Sequence, residues 1–356
     1  MNNLTLSQPE LKQRIVIGRD FYLEELEKFI AVSDYKSIFL IYDTNLKEEK
    51  KKIANLLKNK RFSSYGIRAN QEKSTNLVIS AIKKMQIFGC LRNTLLIALG
   101  GGFIGDISGV VSSVYMRGID YIQIGTTAMS QFDAIVQKVA VNVNHYKNIM
   151  GAFHSPILTF CDTEFVEKDP SCLNSFCEVI KHKIIVKSSL KQLQELENKE
   201  LKNGEFPKII YDSLKVKLNC AAHDPFDTLG IQKKLSLGHT IANIIETKTS
   251  LTHGEAVWIG LLVAIRVSLF LYPKSNYLAD LDVFTNNFIV KHKVKLPKIT
   301  LKKDDILPLL KKDKISMDKG LSMVIINEKN EVSIKNDLSI DTIISAMRKT
   351  PYIRVK

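Results

Sequence analysis

The amino-acid sequence predicts two domains: an α/β N-terminal domain with a doubly wound parallel sheet, and a mostly α-helical C-terminal domain. Its 356 residues are enough for two domains of roughly 150 residues each. From Val16 to Gln123, short continuous apolar runs alternate with helically spaced segments, as is typical of parallel strands covered on both faces. After Pro170, apolar residues recur every three or four positions, which indicates long helices. We therefore expect domains at 1–165 and 166–356.

Three apolar runs in the N-terminal domain read as buried strands. They are SIFLIYD (37–43), TLLIALG (94–100) and IDYIQIG (119–125). Residues 46–60 and 72–88 have helical spacing and lie between the first strand and the second. Because strands and helices alternate in this way, the domain is expected to be of the nucleotide-binding, doubly wound type.

The remaining segments complete the prediction. Residues 125–153 mix polar and apolar positions without a period, and we expect a loop that lines a cleft. The C-terminal domain is expected to contain four long helices, two short strands and a final helix. These are helices at 175–190, 209–222, 233–249 and 255–271, strands at 321–326 and 332–334, and a helix at 340–347.

Composition limits the class of protein. The five cysteines are scattered and form no C-x-x-C pair, which is typical of reduced thiols in the cytoplasm. The longest apolar stretch, Ala256 to Ile265, is about half of the roughly 20 residues that a bilayer requires. The N-terminus also has no apolar core of the kind that a secretion signal contains. We therefore expect a cytoplasmic protein that does not bind a membrane.

The chain is basic, with 51 Lys and Arg against 37 Asp and Glu. The lysines are spread along the chain and mixed with acids, which favours a solvated surface over a field that steers an anion. No helix-turn-helix, finger or aromatic–basic motif is present. We therefore expect no nucleic-acid partner.

A glycine-rich turn, GGGFIGD (100–106), follows the second buried strand and opens a helical pattern. Gly100, Gly102 and Gly105 satisfy G-x-G-x-x-G, in which backbone N–H groups approach a pyrophosphate. A tight strand–helix turn without a ligand would also require glycine. Asp43 ends the first strand, where it could hold a ribose hydroxyl or form the N-cap of a helix, and spacing does not separate these alternatives.

The predicted C-terminal domain contains a group of potential metal ligands. In CEVIKHK (177–183), Glu178 and Lys181 are three residues apart and so share one helical face. His239 in LGHT and His253 in THGEA lie in two helical segments joined by a short loop, and each has a glycine neighbour. Two histidines and one carboxylate are the ligand set of a catalytic zinc site that keeps a position open for substrate. Spacing alone leaves metal ligation and a structural role both open.

Five motifs follow one another along the chain: the glycine turn, the segment 125–153 with Lys138 and Lys147 that ends in KNIMGAF, then EVIK, GHT and HGEA. In this order they resemble the 3-dehydroquinate synthase family of sugar-phosphate cyclases. The resemblance runs from Asp43 to Lys314. It implies a dehydroquinate synthase-like fold, NAD in the N-terminal domain, Zn²⁺ or Co²⁺ in the C-terminal domain, a small-molecule sugar phosphate as substrate, and a homodimer. The implied reaction is transient oxidation by NAD⁺, phosphate elimination, re-reduction and intramolecular aldol closure to a carbocycle.

The resemblance also implies roles for individual residues. The metal ligands would be Glu178, His239 and His253. The NAD contacts would be Asp43, Asn45, Lys73, Gly101, Gly102, Asp106, Thr126, Thr127 and Lys138. The catalytic and substrate contacts would be Asp133, Lys138, Asn148, Lys181, Lys217, Arg117 (reaching the substrate phosphate across the dimer interface) and Lys314.

Three substrate-site positions depart from the family pattern. Gln232 stands where the family usually has an arginine, Ser236 where it has an asparagine, and Asn243 where it has a second histidine. The arginine and asparagine would hold a substrate carboxylate, so their replacement favours sedoheptulose 7-phosphate or glucose 6-phosphate. One alternative is a 3-dehydroquinate synthase acting on 3-deoxy-arabino-heptulosonate 7-phosphate. Asn243 raises a third possibility, reduced activity, because the resemblance implies that the histidine it replaces assists at the phosphate end of the substrate. Another alternative is an NAD- and metal-dependent polyol or glycerol-phosphate dehydrogenase.

Overall fold

The computed structural model describes residues 3–134, 136–144, 146–198, 201, 204–311 and 320–356. Within these residues the strands are Leu4–Gln8 (β1), Gln13–Gly18 (β2), Ser37–Asp43 (β3), Phe62–Ile67 (β4), Thr94–Gly100 (β5), Tyr121–Gly125 (β6), Lys138–Val143 (β7), Tyr146–Phe153 (β8), Leu158–Asp162 (β9), Ile299–Leu301 (β10), Leu321–Ile326 (β11), Val332–Leu338 (β12) and Ile353–Val355 (β13).

The α-helices of the same residues are Tyr22–Ala31 (α1), Lys47–Leu56 (α2), Thr75–Phe88 (α3), Gly102–Val114 (α4), Ala128–Phe132 (α5), Thr163–Lys168 (α6), Cys172–Ile185 (α7), Leu190–Asn198 (α8), Phe206–His223 (α9), His239–Lys248 (α10), His253–Leu271 (α11), Asn276–Lys291 (α12), Lys303–Lys311 (α13) and Ile340–Arg348 (α14). Short 3₁₀ helices cover Pro9–Leu11, Tyr115–Arg117 and Gln232–Ser236.

The chain divides into two compact units. The first contains Met1–Cys172 and Lys202–Phe226, and the second contains Leu173–Leu201 and Asp227–Lys356. The expected boundary at residue 165 therefore differs from the structure, which also places α9 in the first unit. Helix α9 packs against β1, β2, α5 and α6. Its apolar spacing predicts a buried face, but spacing does not say which unit covers that face.

The first unit is a doubly wound domain, as predicted. Its seven-stranded sheet has the order β1-β2-β9-β6-β5-β3-β4, and all neighbours except β1 and β2 are parallel. One face, with Phe39, Leu96 and Tyr121, packs under α3, α4 and the β7–β8 hairpin. The opposite face, with Leu40 and Ile97, packs against α1 and α2. Both faces are apolar, which explains the continuous apolar strands of the sequence.

The prediction of a loop at 125–153 was wrong. This segment forms the short helix α5 and the antiparallel hairpin β7–β8. In β7, Val139 and Val141 are buried against α4, whereas β8 is almost entirely exposed and so has no apolar alternation to detect. A Cβ on Gly109 of α4 would lie 2.4 Å from Val139, so glycine there permits the hairpin to lie on the helix.

Helix α11 is the centre of the second unit. It is buried on nearly all sides, with α10, α12, α14 and β11 packed around it. By length and composition it could cross a membrane, but 72% of its most apolar 18-residue stretch is buried inside the protein. Burial by neighbouring elements accounts for its uniformly apolar sequence.

The predicted single helix at 233–249 is interrupted. A 3₁₀ helix is followed by Gly238, whose φ of +84° is a left-handed conformation that only glycine adopts without strain, and α10 starts at His239. A Cβ on Gly260 of α11 would lie 2.1 Å from the Gly238 carbonyl oxygen. The start of α10 therefore meets α11 backbone to backbone.

We expect Gly260→Ala to lower the free energy of unfolding by about 2–3 kcal/mol, because the added methyl group pushes apart two packed helices. Denaturant unfolding of the full chain measures this. Gly102→Ala is the matched control, since a Cβ there meets nothing within 4 Å, and its stability should stay within about 0.5 kcal/mol. Equal stability of the two variants would contradict the close helix crossing.

Candidate functional site

The second unit brings together Glu178, His239 and His253. One ligand atom from each lies within 4.8 Å of the others. The Glu178 Oε1 atom is 3.7 Å from His239 Nε2 and 3.9 Å from His253 Nε2. A carboxylate and two imidazoles that converge at these distances fit a divalent metal of the zinc type. The three residues that the sequence singled out as metal ligands are thus neighbours in the fold.

Helix packing explains how the ligands meet. His253 is the first residue of α11, and a Cβ on the next residue, Gly254, would lie 2.5 Å from the Asn174 carbonyl oxygen in α7. The indole of Trp258 donates a hydrogen bond to the Leu173 carbonyl at 3.2 Å. These two contacts hold the start of α11 on the start of α7, one helical turn before Glu178.

Glu178 is a charged group in the interior, with a fully buried side chain. Its Oε2 forms an ion pair with the ammonium of Lys181, which is also buried, while Oε1 faces the histidines. A buried carboxylate without a cation would be costly. Lys181 satisfies one oxygen, and the other is placed to bind a cation held between the two imidazoles.

The two histidines are oriented by their Nδ1 atoms. His239 Nδ1 lies 3.3 Å from the Leu237 carbonyl oxygen, and His253 Nδ1 lies 2.6 Å from Glu246 Oε1. Burial lowers the pKa of His253, but the hydrogen bond and the charge of Glu246 outweigh it, so the pKa is raised. Sequence analysis missed Glu246, although it stands seven residues before His253 and on the same face of α10 as His239.

The first unit has a second candidate site, at the carboxyl ends of its strands. The chain runs from β3 outward to β4 and then returns to β5 on the other side of β3. The crevice outside such a reversal is where doubly wound sheets bind ligands. Asp43 ends β3, the glycine turn follows β5, and Thr126 and Thr127 follow β6. These three predicted nucleotide contacts therefore lie at the strand ends beside the topological switch point, together with the glycine turn.

The glycine turn is open at one position. A Cβ on Gly101 would press on the Thr127 side chain at 3.0 Å, whereas one on Gly102 would meet nothing within 4 Å. Gly102 begins α4, so the backbone N–H groups of the first turn of that helix are available to an anion at its positive end. The Thr127 hydroxyl forms a capping box with Ser130 and holds the start of α5.

Asp43 does not cap a helix. Its Oδ1 accepts a hydrogen bond from the Asn45 N–H at 3.0 Å, and Leu46 is the N-cap of α2. Of the two alternatives from the sequence, the helix N-cap is therefore excluded. The carboxylate shapes the turn after β3, which positions both Asp43 and Asn45 at the sheet edge.

A polar network connects the hairpin to α4. Lys73 forms an ion pair with Asp106 and donates to Asn148 Oδ1 at 2.9 Å, and Asp106 accepts the Ala140 N–H at 3.1 Å. Asn142 Oδ1 accepts the N–H of Asn148, whose φ of +53° is left-handed. Asn142, which sequence analysis missed, thus helps to hold a predicted substrate contact in place.

The other predicted residues lie at different depths. Lys217 Nζ contacts both Asp133 Oδ1 and the Asp133 carbonyl oxygen, each at 3.0 Å. Lys138 is exposed at the start of β7, and Arg117 is exposed with a left-handed φ of +66°. In the second unit, Gln232 is buried, Ser236 is half-buried and Asn243 is exposed. Lys314 lies outside the described residues.

Comparison with known proteins identifies relatives over most of the chain. The family model described as 3-dehydroquinate synthase N-terminal matches residues 66–173, and the one described as 3-dehydroquinate synthase C-terminal matches residues 175–316. A 3-dehydroquinate synthase of Thermoanaerobacter pseudethanolicus is 34% identical over 318 residues, with 84% of each chain covered.

Solved structures share the fold. A 2-deoxy-scyllo-inosose synthase complexed with carbaglucose-6-phosphate, NAD⁺ and Co²⁺ superposes with a TM-score of 0.81 at 19% identity, covering 98% of this chain and 100% of that one. A 2-epi-5-epi-valiolone synthase from Streptomyces hygroscopicus with NAD⁺ and Zn²⁺ bound gives 0.75 at 18% identity, covering 97% of each chain.

The family descriptions and the curated relative identify the chain as an enzyme, a carbon–oxygen lyase in the broad sense. Within that class, both family descriptions match in order and together cover most of the chain. The chain belongs to the 3-dehydroquinate synthase family.

We expect Lys73→Met to lower the free energy of unfolding by about 2 kcal/mol, because it leaves the partly buried Asp106 carboxylate without its cation. Lys51→Met is the matched control, since Lys51 pairs with Glu48 on an exposed face and should change stability by less than about 0.5 kcal/mol. Thermal unfolding compares the two variants. Equal stabilities would mean that the Lys73 network does not hold the hairpin.

Proposed function

We propose that this chain is an NAD⁺- and metal-dependent sugar-phosphate cyclase. The observation that carries the proposal is the convergence of Glu178, His239 and His253 beside Lys181, in a chain of the 3-dehydroquinate synthase family. Zn²⁺ or Co²⁺ suits a carboxylate–imidazole set of this kind. The NAD⁺ and metal named for the two solved relatives support the same cofactors.

Two cofactors would share the chemistry with the protein. Bound NAD⁺ would supply a reversible hydride acceptor and the metal a Lewis acid that polarises a substrate oxygen. Glu178 Oε1 and the Nε2 atoms of His239 and His253 would hold the metal. The ammonium of Lys181, fixed against Glu178 Oε2, would stabilise negative charge on a neighbouring substrate oxygen.

The first unit would bind the nucleotide and the anionic end of the substrate. The backbone at Gly101 and Gly102 would accept the pyrophosphate at the start of α4, and Asp43 would hold a ribose hydroxyl. Asn45, Thr126 and Thr127 would line the same strand ends, and Lys73 and Asp106 would complete the nucleotide contacts. Asp133, Lys138, Asn148 and Lys217 would bind the substrate, the lysines through its phosphate.

The substrate that the relatives favour is 3-deoxy-arabino-heptulosonate 7-phosphate. The Thermoanaerobacter pseudethanolicus protein and the other similar curated relatives are 3-dehydroquinate synthases, at about one-third identity over most of this chain. We take this as the first candidate. It requires that the chain bind a substrate carboxylate without the arginine that the family usually supplies at position 232.

A second candidate is a sugar phosphate without a carboxylate, sedoheptulose 7-phosphate or glucose 6-phosphate. Gln232, Ser236 and Asn243 favour it, because a neutral, buried Gln232 cannot form the bidentate charge-assisted contact that a carboxylate prefers. Replacing such a contact would weaken carboxylate binding by about 2–4 kcal/mol. Lys314 would contact either substrate.

We further propose a cytoplasmic homodimer in which Arg117 reaches the substrate phosphate of the partner subunit. Arg117 follows Met116, and both are exposed residues with positive φ in a short 3₁₀ turn. Left-handed conformations at two successive non-glycine residues are unfavourable in isolation. Such a turn is consistent with an arginine held outward for a function.

We expect the purified chain with NAD⁺ and Zn²⁺ to release inorganic phosphate from 3-deoxy-arabino-heptulosonate 7-phosphate without accumulating NADH. Phosphate assay and absorbance at 340 nm measure the two quantities in the same cuvette. Release only from sedoheptulose 7-phosphate or glucose 6-phosphate would establish the second candidate. NADH formed in proportion to substrate consumed would overturn the cyclase proposal in favour of a polyol or glycerol-phosphate dehydrogenase.

Two substitutions separate metal binding from catalysis. We expect His253→Ala to weaken metal binding by more than about 100-fold while NAD⁺ binding persists, because it removes a ligand. Lys181→Met should keep the metal and lower kcat by about 10²–10³, since it removes one oxyanion-stabilising cation.

Elemental analysis, NAD⁺ titration and steady-state rates measure these effects. Lys187→Met is the control, because Lys187 is an exposed partner of Glu331, and its rate should equal that of the wild type. If His253→Ala kept one metal per chain, the ligand assignment would be wrong. An unchanged rate in Lys181→Met would remove Lys181 from the mechanism.

A further inference from the structure

Glu246 occupies an unusual place for a carboxylate in the second unit. It lies in the last turns of α10, with a side chain that is only 12% exposed, and its Oε1 is 2.6 Å from His253 Nδ1. His253 itself begins α11. The contact therefore joins the end of one helix to the first residue of the next, across the short loop at 249–252.

The same helix serves both histidines. His239 is the first residue of α10, and Glu246 follows it by seven residues, which places the two side chains on one stripe of the helix. One end of α10 thus supplies a metal ligand, and the other end contacts the second ligand. The rigid helix relates the positions of His239 and His253 to each other.

A histidine nitrogen can bind a metal only if it carries the lone pair. Which nitrogen does so depends on which of the two ring nitrogens carries the proton. In a neutral imidazole one nitrogen carries the proton and the other carries the lone pair. A carboxylate accepts a hydrogen bond from the protonated nitrogen, so Nδ1–H of His253 donates to Glu246 and the lone pair lies on Nε2, on the side of Glu178.

We propose that Glu246 is a positioning residue that fixes the tautomer and ring orientation of His253 for metal binding. The inference rests on the proposed metal-dependent function. His239 is oriented differently, by a main-chain carbonyl at 3.3 Å, which no substitution removes. Glu246 is therefore the replaceable side chain through which the orientation of one of the two histidines can be tested.

The closest comparison within the chain is Glu255. It stands two residues after His253, and its Oε2 accepts hydrogen bonds from the N–H and hydroxyl of Thr252 as part of the α11 capping box. Glutamine also completes a capping box. Glu255→Gln thus removes the same charge near the same histidine without touching the Nδ1 contact, and it is the matched control.

The test measures the dissociation constant of Co²⁺ in the full chain by competition with a chromophoric chelator. We expect Glu246→Ala to bind Co²⁺ about 10–100-fold more weakly than the wild type, Glu246→Gln to be intermediate, and Glu255→Gln to be unchanged. The absorption spectrum of bound Co²⁺ should also shift in the Glu246 variants, because ligand geometry changes. The Kd for NAD⁺ should be the same in all four proteins.

The outcomes distinguish the inference from the function on which it rests. Wild-type affinity and spectrum in both Glu246 variants would overturn the positioning role while leaving the metal site intact. Failure of the wild type to bind Co²⁺ or Zn²⁺ stoichiometrically would overturn the metal assignment, and the inference with it. If Glu246→Ala does not fold, the near-isosteric Glu246→Gln decides the question through the same two readouts.

Discussion

The candidate metal site depends on the burial of the Glu178 carboxylate. A charge without solvent must be balanced by cations and hydrogen-bond donors, or its burial opposes folding. Lys181 balances one oxygen from the same helix, and the other oxygen faces two imidazoles. Helices α7, α10 and α11 must therefore meet at one point. Close backbone contacts at Gly238, Gly254 and Gly260 allow this, because a Cβ at any of them would overlap a neighbouring main chain.

In the first unit, backbone N–H groups and a few side chains lie together at the end of a sheet. Parallel strands end together, so Asp43 at the end of β3 and Gly102 after β5 both lie beside the switch point as a result of strand order. The hairpin β7–β8 then lies on α4, held by Lys73, Asp106 and Asn142. Sheet topology therefore places the predicted nucleotide contacts at the strand ends, and a polar network positions the hairpin residues.

The two residues that the sequence did not reveal, Asn142 and Glu246, both act by orienting another residue. Asn142 accepts the main-chain N–H of Asn148 six residues further along the chain, and Glu246 contacts the imidazole of His253 seven residues further along. Similarly, the exposed strand β8 has no apolar alternation, because one face of the hairpin alone is covered by α4. The sequence of helix α9 predicts a buried face but does not indicate which elements cover that face. In each case the interaction depends on a turn of the chain or on packing between elements, which local periodicity does not reveal.

By itself the sequence determined the local features: the continuous apolar strands, most of the helices, the glycine turn and the sharing of one helical face by Glu178 and Lys181. These follow from short-range rules, since side-chain period, glycine conformation and helix spacing act within a few residues. Tertiary structure alone decided that His239 and His253 meet Glu178, that Glu246 and Asn142 orient their neighbours, and that α9 joins the first unit. Those arrangements depend on helix crossings, on turns of the chain and on packing between elements, which side-chain period and local spacing do not determine.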